Sequence, residues 1–272
     1  MNSIIDYYTG FGEREWTRLD REPLEYIINF HYINHYLPKI GHILDNGAGP
    51  GKYSIALAQK GYQITLTDLT PKLVSIAEEK AMEHGVIDSF EGFYVENAQN
   101  LSRFNDEIFD ASLMLGPLYH LQNEDERINA VNELHRVTKK DGLVFVAFRS
   151  RSNHSMLSLI HPKHWRPNDN MDSINDFYCT GRFTHSDEGR FTGAYFFNID
   201  EINPFMESKG FETLDLIGST NIGTLLNQEQ LDYWKEKGEE EYSKLIDFLI
   251  QRARDPYLLG VSSHLLYIGR KK

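Results

Sequence analysis

Seven residues, Asp45-Asn46-Gly47-Ala48-Gly49-Pro50-Gly51, have the composition of a ligand-holding turn. Glycine takes up backbone conformations closed to other residues and lets a ligand approach the main chain. A phosphate-cradling loop needs Gly-x-x-x-x-Gly-Lys followed by Ser or Thr. Here Asn46 stands at its first glycine and Tyr53 follows Gly51-Lys52, so that reading fails. The dinucleotide fingerprint Gly-x-Gly-x-x-Gly is met by Gly47 and Gly49, with Lys52 at its third glycine. A nicotinamide-dependent oxidoreductase therefore stays as an alternative that Lys52 argues against. His161-x-x-His164 has a spacing that suits metal ligation. It lies in a polar stretch with no evident third ligand, so no metal is expected.

The elements around the loop follow from periodicity. Leu24, Ile27, Ile28 and Ile33 sit at near-helical spacing within a helical first forty residues, and Pro38 marks the end. The short apolar run 42–45 predicts a buried strand before the glycines. A helix over 52–60 stops at Gly61. The β-branched run 64–67 predicts a second strand, and Thr70-Pro71 opens a helix that stops at Gly85. Strands are expected over 92–95, 109–115 and 143–148. Between the last two, a helix spans about 125–140, with Lys139 and Lys140 at its negative end. Alternating strands and helices imply a mostly parallel sheet covered on both faces, doubly wound by right-handed crossovers.

After Arg149 the rhythm breaks. Residues 150–198 are polar and read as a lid or substrate insertion, with a hairpin over 177–197. A helix over 200–209, a strand over 211–217, a polar helical stretch over 228–254 and a last strand over 264–269 complete the pattern. The expected organisation is an N-terminal helical cap (1–40), a cofactor-binding core (41–149), the insertion (150–198) and the rest of the sheet with a helical insertion (199–272).

A chain of 272 residues with 40% apolar content can build a sizeable core. Its formal net charge of −12 disfavours nucleic acid and favours a small-molecule partner. Its one cysteine, Cys179, rules out an internal disulfide and a cysteine-based zinc site. No apolar run approaches the roughly 20 residues of a membrane span, and none near the N-terminus has signal length. A cytoplasmic protein is expected.

Asp45-x-Gly47-x-Gly49-x-Gly51 after a strand resembles the first motif of class I S-adenosylmethionine-dependent methyltransferases. Further segments at strand ends carry the same resemblance: Asp68, then Asn97-Ala98-Gln99-Asn100-Leu101, then Leu115-Gly116-Pro117-Leu118-Tyr119-His120-Leu121, as in bacterial small-molecule members. The resemblance covers roughly residues 40–150. It implies an α/β fold whose seventh strand, 264–269, runs antiparallel to the rest. It implies S-adenosylmethionine as cofactor and S-adenosylhomocysteine as product. By it, Asp45, Gly47, Ala48, Gly49 and Gly51 wrap the methionine part. Asp68 binds the ribose hydroxyls beside Leu69, and Asn97, Ala98 and Gln99 meet the adenine, with Leu115 nearby. The family commonly has Asp where Asn97 stands. The reacting centre falls at His120, the first candidate general base, and Tyr119, the second. Tyr7, Tyr8, Trp16 and Arg18 lie in a segment that in similar proteins closes over the cofactor. An aromatic there can meet the sulfonium, and Arg18 can pair with the cofactor carboxylate. His264 is expected to line the pocket or to be structural. The acceptor is expected to be a small molecule, methylated by in-line displacement. A binding protein of this fold without transfer is the second alternative.

Overall fold

The computed structural model describes residues 3–21, 23–187 and 193–272. A seven-stranded sheet forms the centre, in the order β3-β2-β1-β4-β5-β9-β8. Its strands are β1 (His42–Asn46), β2 (Gln63–Asp68), β3 (Phe90–Val95), β4 (Phe109–Met114), β5 (Thr138–Arg149), β8 (Phe211–Gly218) and β9 (His264–Lys271). β1 pairs in parallel with β2 and β4, and β4 with β5. β9 is antiparallel to both of its neighbours, β5 and β8. The mostly parallel, doubly wound sheet and its reversed last strand are as expected.

Each central strand is buried on both faces, which is why it reads as a continuous apolar run rather than an alternating one. In β5, Leu143 and Phe145 face one layer with Ile43, Ala111, Leu113, Leu266 and Ile268. Val144, Val146 and Phe148 face the other with Met114, Leu265 and Tyr267. The first layer is closed by α4 (Pro23–Tyr36), α5 (Lys52–Ala58) and α13 (Glu239–Arg252). The second is closed by α8 (Glu124–Val137) and α11 (Ile199–Glu207). α6 (Pro71–Glu83) covers β2 and β3, with Pro71 in its first turn. Ahead of α4 run three short helices, α1 (Ser3–Phe11), α2 (Glu13–Trp16) and α3 (Arg18–Arg21).

Four local expectations need correction. Lys139 and Lys140 do not end α8. The helix stops at Val137, and β5 starts at Thr138 with an irregular turn at Asp141, φ 61°. Lys139 instead pairs with Asp110 at 2.6 Å. The expected hairpin starts later, because Phe177 lies in α10 (Met171–Thr180), and among the described residues β6 (Arg182–Phe183) pairs with β7 (Ala194–Tyr195). Residues 188–192 of that hairpin lie outside the described residues. The stretch 228–254 is two helices, α12 (Gln228–Glu236) and α13, parted at Gly238, where φ is 109°. Thr70 leads into α6 without a side-chain cap; its backbone N–H donates to Asp68. α7 (Pro117–His120) follows β4, and α9 (Arg151–Ile160) follows β5. Among the described residues no helix is long and apolar enough to cross a membrane.

Candidate functional site

From β1 the chain winds outward through β2 and β3, then returns to β4 on the other side of β1. The crevice at the carboxyl ends of β1 and β4 is therefore the switch point where open α/β sheets bind ligands. A cavity of about 520 Å³ lies there, within the usual range for small-ligand sites. Its floor is the glycine loop. Its roof comes from the N-terminal helices, and its far wall from α7, Arg149 and part of segment 150–198.

The loop is built by backbone geometry. Gly47, Gly49 and Gly51 have φ of 75°, 58° and 82°, a region costly for residues with a Cβ. They differ in surroundings. A Cβ on Gly47 would lie 2.0 Å from Cγ of Pro117, so the chain after β1 must be bare to pass the chain after β4. A Cβ on Gly49 would meet nothing within 4 Å; this backbone is open to a ligand. Gly51 begins α5 and packs toward Leu66 and Ala77.

Asp68 holds the loop. Its two carboxylate oxygens accept from the backbone N–H groups of Gly49 (2.9 Å) and Thr70 (2.8 Å). Burial pushes its pKa up, while those two bonds favour the charged form. Each oxygen keeps a further lone pair for a ligand hydroxyl. Asp45 sits deeper, accepting from the Ser54 hydroxyl at 2.6 Å, and burial lifts it to about 7. Asn97 folds its own turn, accepting from the backbone of Gln99 at 3.0 Å. With bare backbone, a carboxylate at the end of β2 and an amide at the end of β3, these residues fit an adenosyl amino acid.

The other end is built from side chains. Tyr8 Oη and His120 Nε2 are 2.9 Å apart. Burial, and then the nearby Arg149 charge, lower His120 to about 3, so its imidazole is neutral. Burial lifts Tyr119 to about 12. Arg18 bridges two carboxylates, Glu15 at 2.8 Å and Glu25 at 3.4 Å. Glu25 also lies 3.6 Å from His264, whose pKa burial lowers to about 4. Burial opposes the charge on Glu25, while the Arg18 guanidinium favours it. Arg149 lies over the rings of Phe196 (4.9 Å) and Tyr119 (5.9 Å).

Residues 44–146 match the family model described as a methyltransferase domain. The chain thus carries a methyltransferase domain over the segment that holds the glycine loop, Asp68 and Asn97. Among curated relatives, a glycine/sarcosine/dimethylglycine N-methyltransferase of Actinopolyspora halophila is 24% identical, over 79% of this chain and 40% of its own length. A ubiquinone/menaquinone biosynthesis C-methyltransferase of Zymomonas mobilis is 28% identical, over 62% of this chain and 66% of its own. The chain thus spans 40% and 66% of these two relatives. A solved SAM-dependent methyltransferase from Methanosarcina mazei superposes with a TM-score of 0.59 at 22% identity, covering 88% of this chain and 96% of that one. That likeness shows the fold.

Within this methyltransferase fold, most of the residues expected at the site converge. Asp45, Gly47, Ala48, Gly49, Asp68, Leu69, Asn97, Ala98, Leu115, Arg18, Tyr119 and His120 all line the cavity. Gly51 and Gln99 do not; Gly51 packs behind the loop, and Gln99 faces a separate open surface groove. Tyr7 and Tyr8 reach the cavity, but Trp16 lies outside it, with Lys52 and Lys80 over its ring at 5.0 and 5.7 Å. His164 lines the cavity and His161 does not, and among the described residues no group of three His, Cys, Asp or Glu is placed to hold a metal. Sequence reasoning missed Glu25, Arg149, Trp165, Phe183 and Phe196, which also line it. Two had a signal. Arg149 is a cation closing the apolar run 143–148, and Glu25 is a carboxylate on the buried face of α4.

Proposed function

We propose that the chain transfers the methyl group of S-adenosylmethionine to a small-molecule acceptor. One observation carries the reading: a single cavity joins the bare glycine loop and Asp68 at one end to the Tyr8–His120 pair at the other. When bound, S-adenosylmethionine supplies a methyl on a positively charged sulfur; an acceptor lone pair forms the new bond to carbon while the carbon–sulfur pair stays on sulfur, giving S-adenosylhomocysteine. The N–H-rich loop, Asp68 and the turn at Asn97 hold the adenosyl and amino-acid parts. Arg18, which bridges Glu15 and Glu25, is the cation we assign to the cofactor carboxylate.

The acceptor end orients the nucleophile and excludes water, and such positioning can contribute roughly 7–11 kcal/mol. His120 is the proton acceptor we assign. A base this weak takes a proton only from an acceptor made acidic by the forming bond. Tyr119, lifted to about 12, stays protonated at neutral pH and acts as a hydrogen-bond donor rather than a base. A small-molecule acceptor rather than nucleic acid is supported by the net charge of −12. A cytoplasmic setting belongs to the same proposal.

Calorimetric titration with S-adenosylmethionine and S-adenosylhomocysteine, with nicotinamide dinucleotides as controls, tests it. The expected result is micromolar binding of both, lost in Asp68→Ala and weakened less in Asp68→Asn, which keeps one acceptor oxygen. Dinucleotide binding without either adenosyl compound would overturn the proposal.

A further inference from the structure

The acceptor end has a chemistry of its own. Beyond Tyr119 the cavity runs between Trp165, Phe183 and Phe196, which come from segment 150–198. Trp165 and Phe183 are 6.2 Å apart, centroid to centroid, and Phe183 and Phe196 6.3 Å, at steep angles. Behind them His154 is buried and packs its ring against all three, 4.9 Å from Trp165 and 4.4 Å from Phe183 and Phe196. Such a wall is rigid and offers flat apolar faces and edges, which aromatic rings favour.

The fixed charges at this end cancel. Glu15 and Glu25 are negative and bridged by Arg18; Arg149 supplies the second positive charge. His120 and His264 are held neutral. The other carboxylates on the cavity wall are engaged elsewhere: Asp45 with Ser54, Asp68 with two backbone amides, Glu96 with Arg103. A bound cofactor adds the positive sulfur. An anionic acceptor restores neutrality in this poorly solvated space; a cationic one leaves two charges of the same sign to be buried, which is costly. Arg149 lies over the rings of Tyr119 and Phe196 at the cavity wall, and a guanidinium there suits a carboxylate or another planar anion.

The geometry points to a small aromatic acid as the methyl acceptor, its ring against Trp165 and Phe183 and its anionic group at Arg149. This rests on the S-adenosylmethionine reading above. The class covers carbocyclic and heteroaromatic acids alike.

The test uses the full chain saturated with S-adenosylmethionine, which carries the positive sulfur, and three probes of one size: benzoate, benzyl alcohol and the benzylammonium ion. Benzoate is expected to bind at least tenfold more tightly than benzyl alcohol, and benzylammonium most weakly. Arg149→Gln should erase the preference. Because that variant removes a deeply placed charge, Trp165→Ala gives a second arm. It should weaken benzoate and benzyl alcohol by the same factor and leave their ratio unchanged. Equal affinities for the three probes, a preference for benzylammonium, or no probe binding to the loaded chain overturns the assignment. Failure of S-adenosylmethionine itself to bind overturns the cofactor reading instead, and with it this inference.

Discussion

The two ends of the cavity are made of different material. At the cofactor end the lining is largely main chain: Gly47 and Gly49 at positive φ, amides anchored on Asp68, and an asparagine turn. At the acceptor end they come from side chains drawn from α1 to α4, α7, the end of β5 and segment 150–198. A backbone site tolerates few residues at fixed spacing. A side-chain site can be assembled from distant positions in many ways. The first is therefore rigid and shared among many acceptors; the second is where specificity is free to vary.

One substitution breaks the first end alone. Gly47→Ala forces a Cβ to 2.0 Å from Pro117 and holds alanine at φ 75°. Strain of about 1–2 kcal/mol adds to a steric cost of about 1–3 kcal/mol. The affinity for S-adenosylhomocysteine should drop by about 30- to 4,000-fold, at tenfold per 1.4 kcal/mol. Gly49→Ala faces open space and should show the φ strain only. Calorimetry and thermal melts on the pair decide; equal losses would mean that Pro117 is not the wall of the loop.

The second end should respond in rate, not in cofactor affinity. His120→Ala should lower kcat by about 10²–10⁴-fold, the range for a lost general base. Tyr8→Phe should lower it less, since the imidazole remains. Because His120 titrates near 3, its ionisation should leave no inflection in kcat between pH 5 and 8. Stopped turnover with unchanged S-adenosylhomocysteine affinity is the expected pattern. An inflection near pH 6.5 that disappears in His120→Ala would instead mean that the imidazole is solvated and charged in the working protein.

This asymmetry explains what the sequence disclosed. Gly47, Gly49 and Asp68 were legible because a tight turn and a strand end admit so few residue types. The reversed strand β9 was legible only through the family resemblance, since periodicity does not encode direction. The start of β5 was not legible, because Thr138 to Lys140 continue a helical charge pattern and only the pairing with β4 decides otherwise. Trp165, Phe183 and Phe196 lie in the polar stretch 150–198 and match no motif. Nothing local separates a ring that fills a core from a ring that lines a cavity.

His154, behind the acceptor wall, gives a smaller effect in stability. Among the described residues neither of its ring nitrogens has a hydrogen-bond partner, and burial lowers its pKa to about 3. An unfolded histidine titrates near 6.5, so below that pH the unfolded chain takes up a proton that the folded chain refuses. Stability from this residue is full above pH 6.5 and lost as pH falls toward 3. Between pH 8 and pH 5 the loss is about 2 kcal/mol, at 1.36 kcal/mol per unit. His154→Leu should remove that part of the acid sensitivity and leave S-adenosylhomocysteine binding intact. Asp45 acts in the opposite sense. Raised to about 7, it favours the folded state at low pH and loses that contribution as pH rises through 7. Asp45→Asn should therefore remove a loss of stability that runs from about pH 4 to about pH 7, opposite in sign to that of His154. Chemical denaturation at pH 5, 6.5 and 8 separates the two slopes.

The smallest expected effect asks whether the ends are independent. The N-terminal helices touch both: Tyr8 meets His120 and Arg18 bridges Glu15 and Glu25, while Trp16 lies outside against Lys52, the residue that follows the glycine loop. Asp20 ties the same lysine at 2.5 Å. An exposed cation–π contact contributes about 0.5–1 kcal/mol, so Trp16→Ala loses roughly 1–2 kcal/mol of clasp across Lys52 and Lys80. If the clasp positions the roof over both ends, cofactor affinity and kcat should fall together, each by a similar factor of about 5–30, the equivalent of that energy at tenfold per 1.4 kcal/mol. If only cofactor affinity falls, Trp16 merely steadies Lys52 and the loop behind it. If only kcat falls, the helices serve the acceptor end alone, and the glycine loop needs no help from the roof.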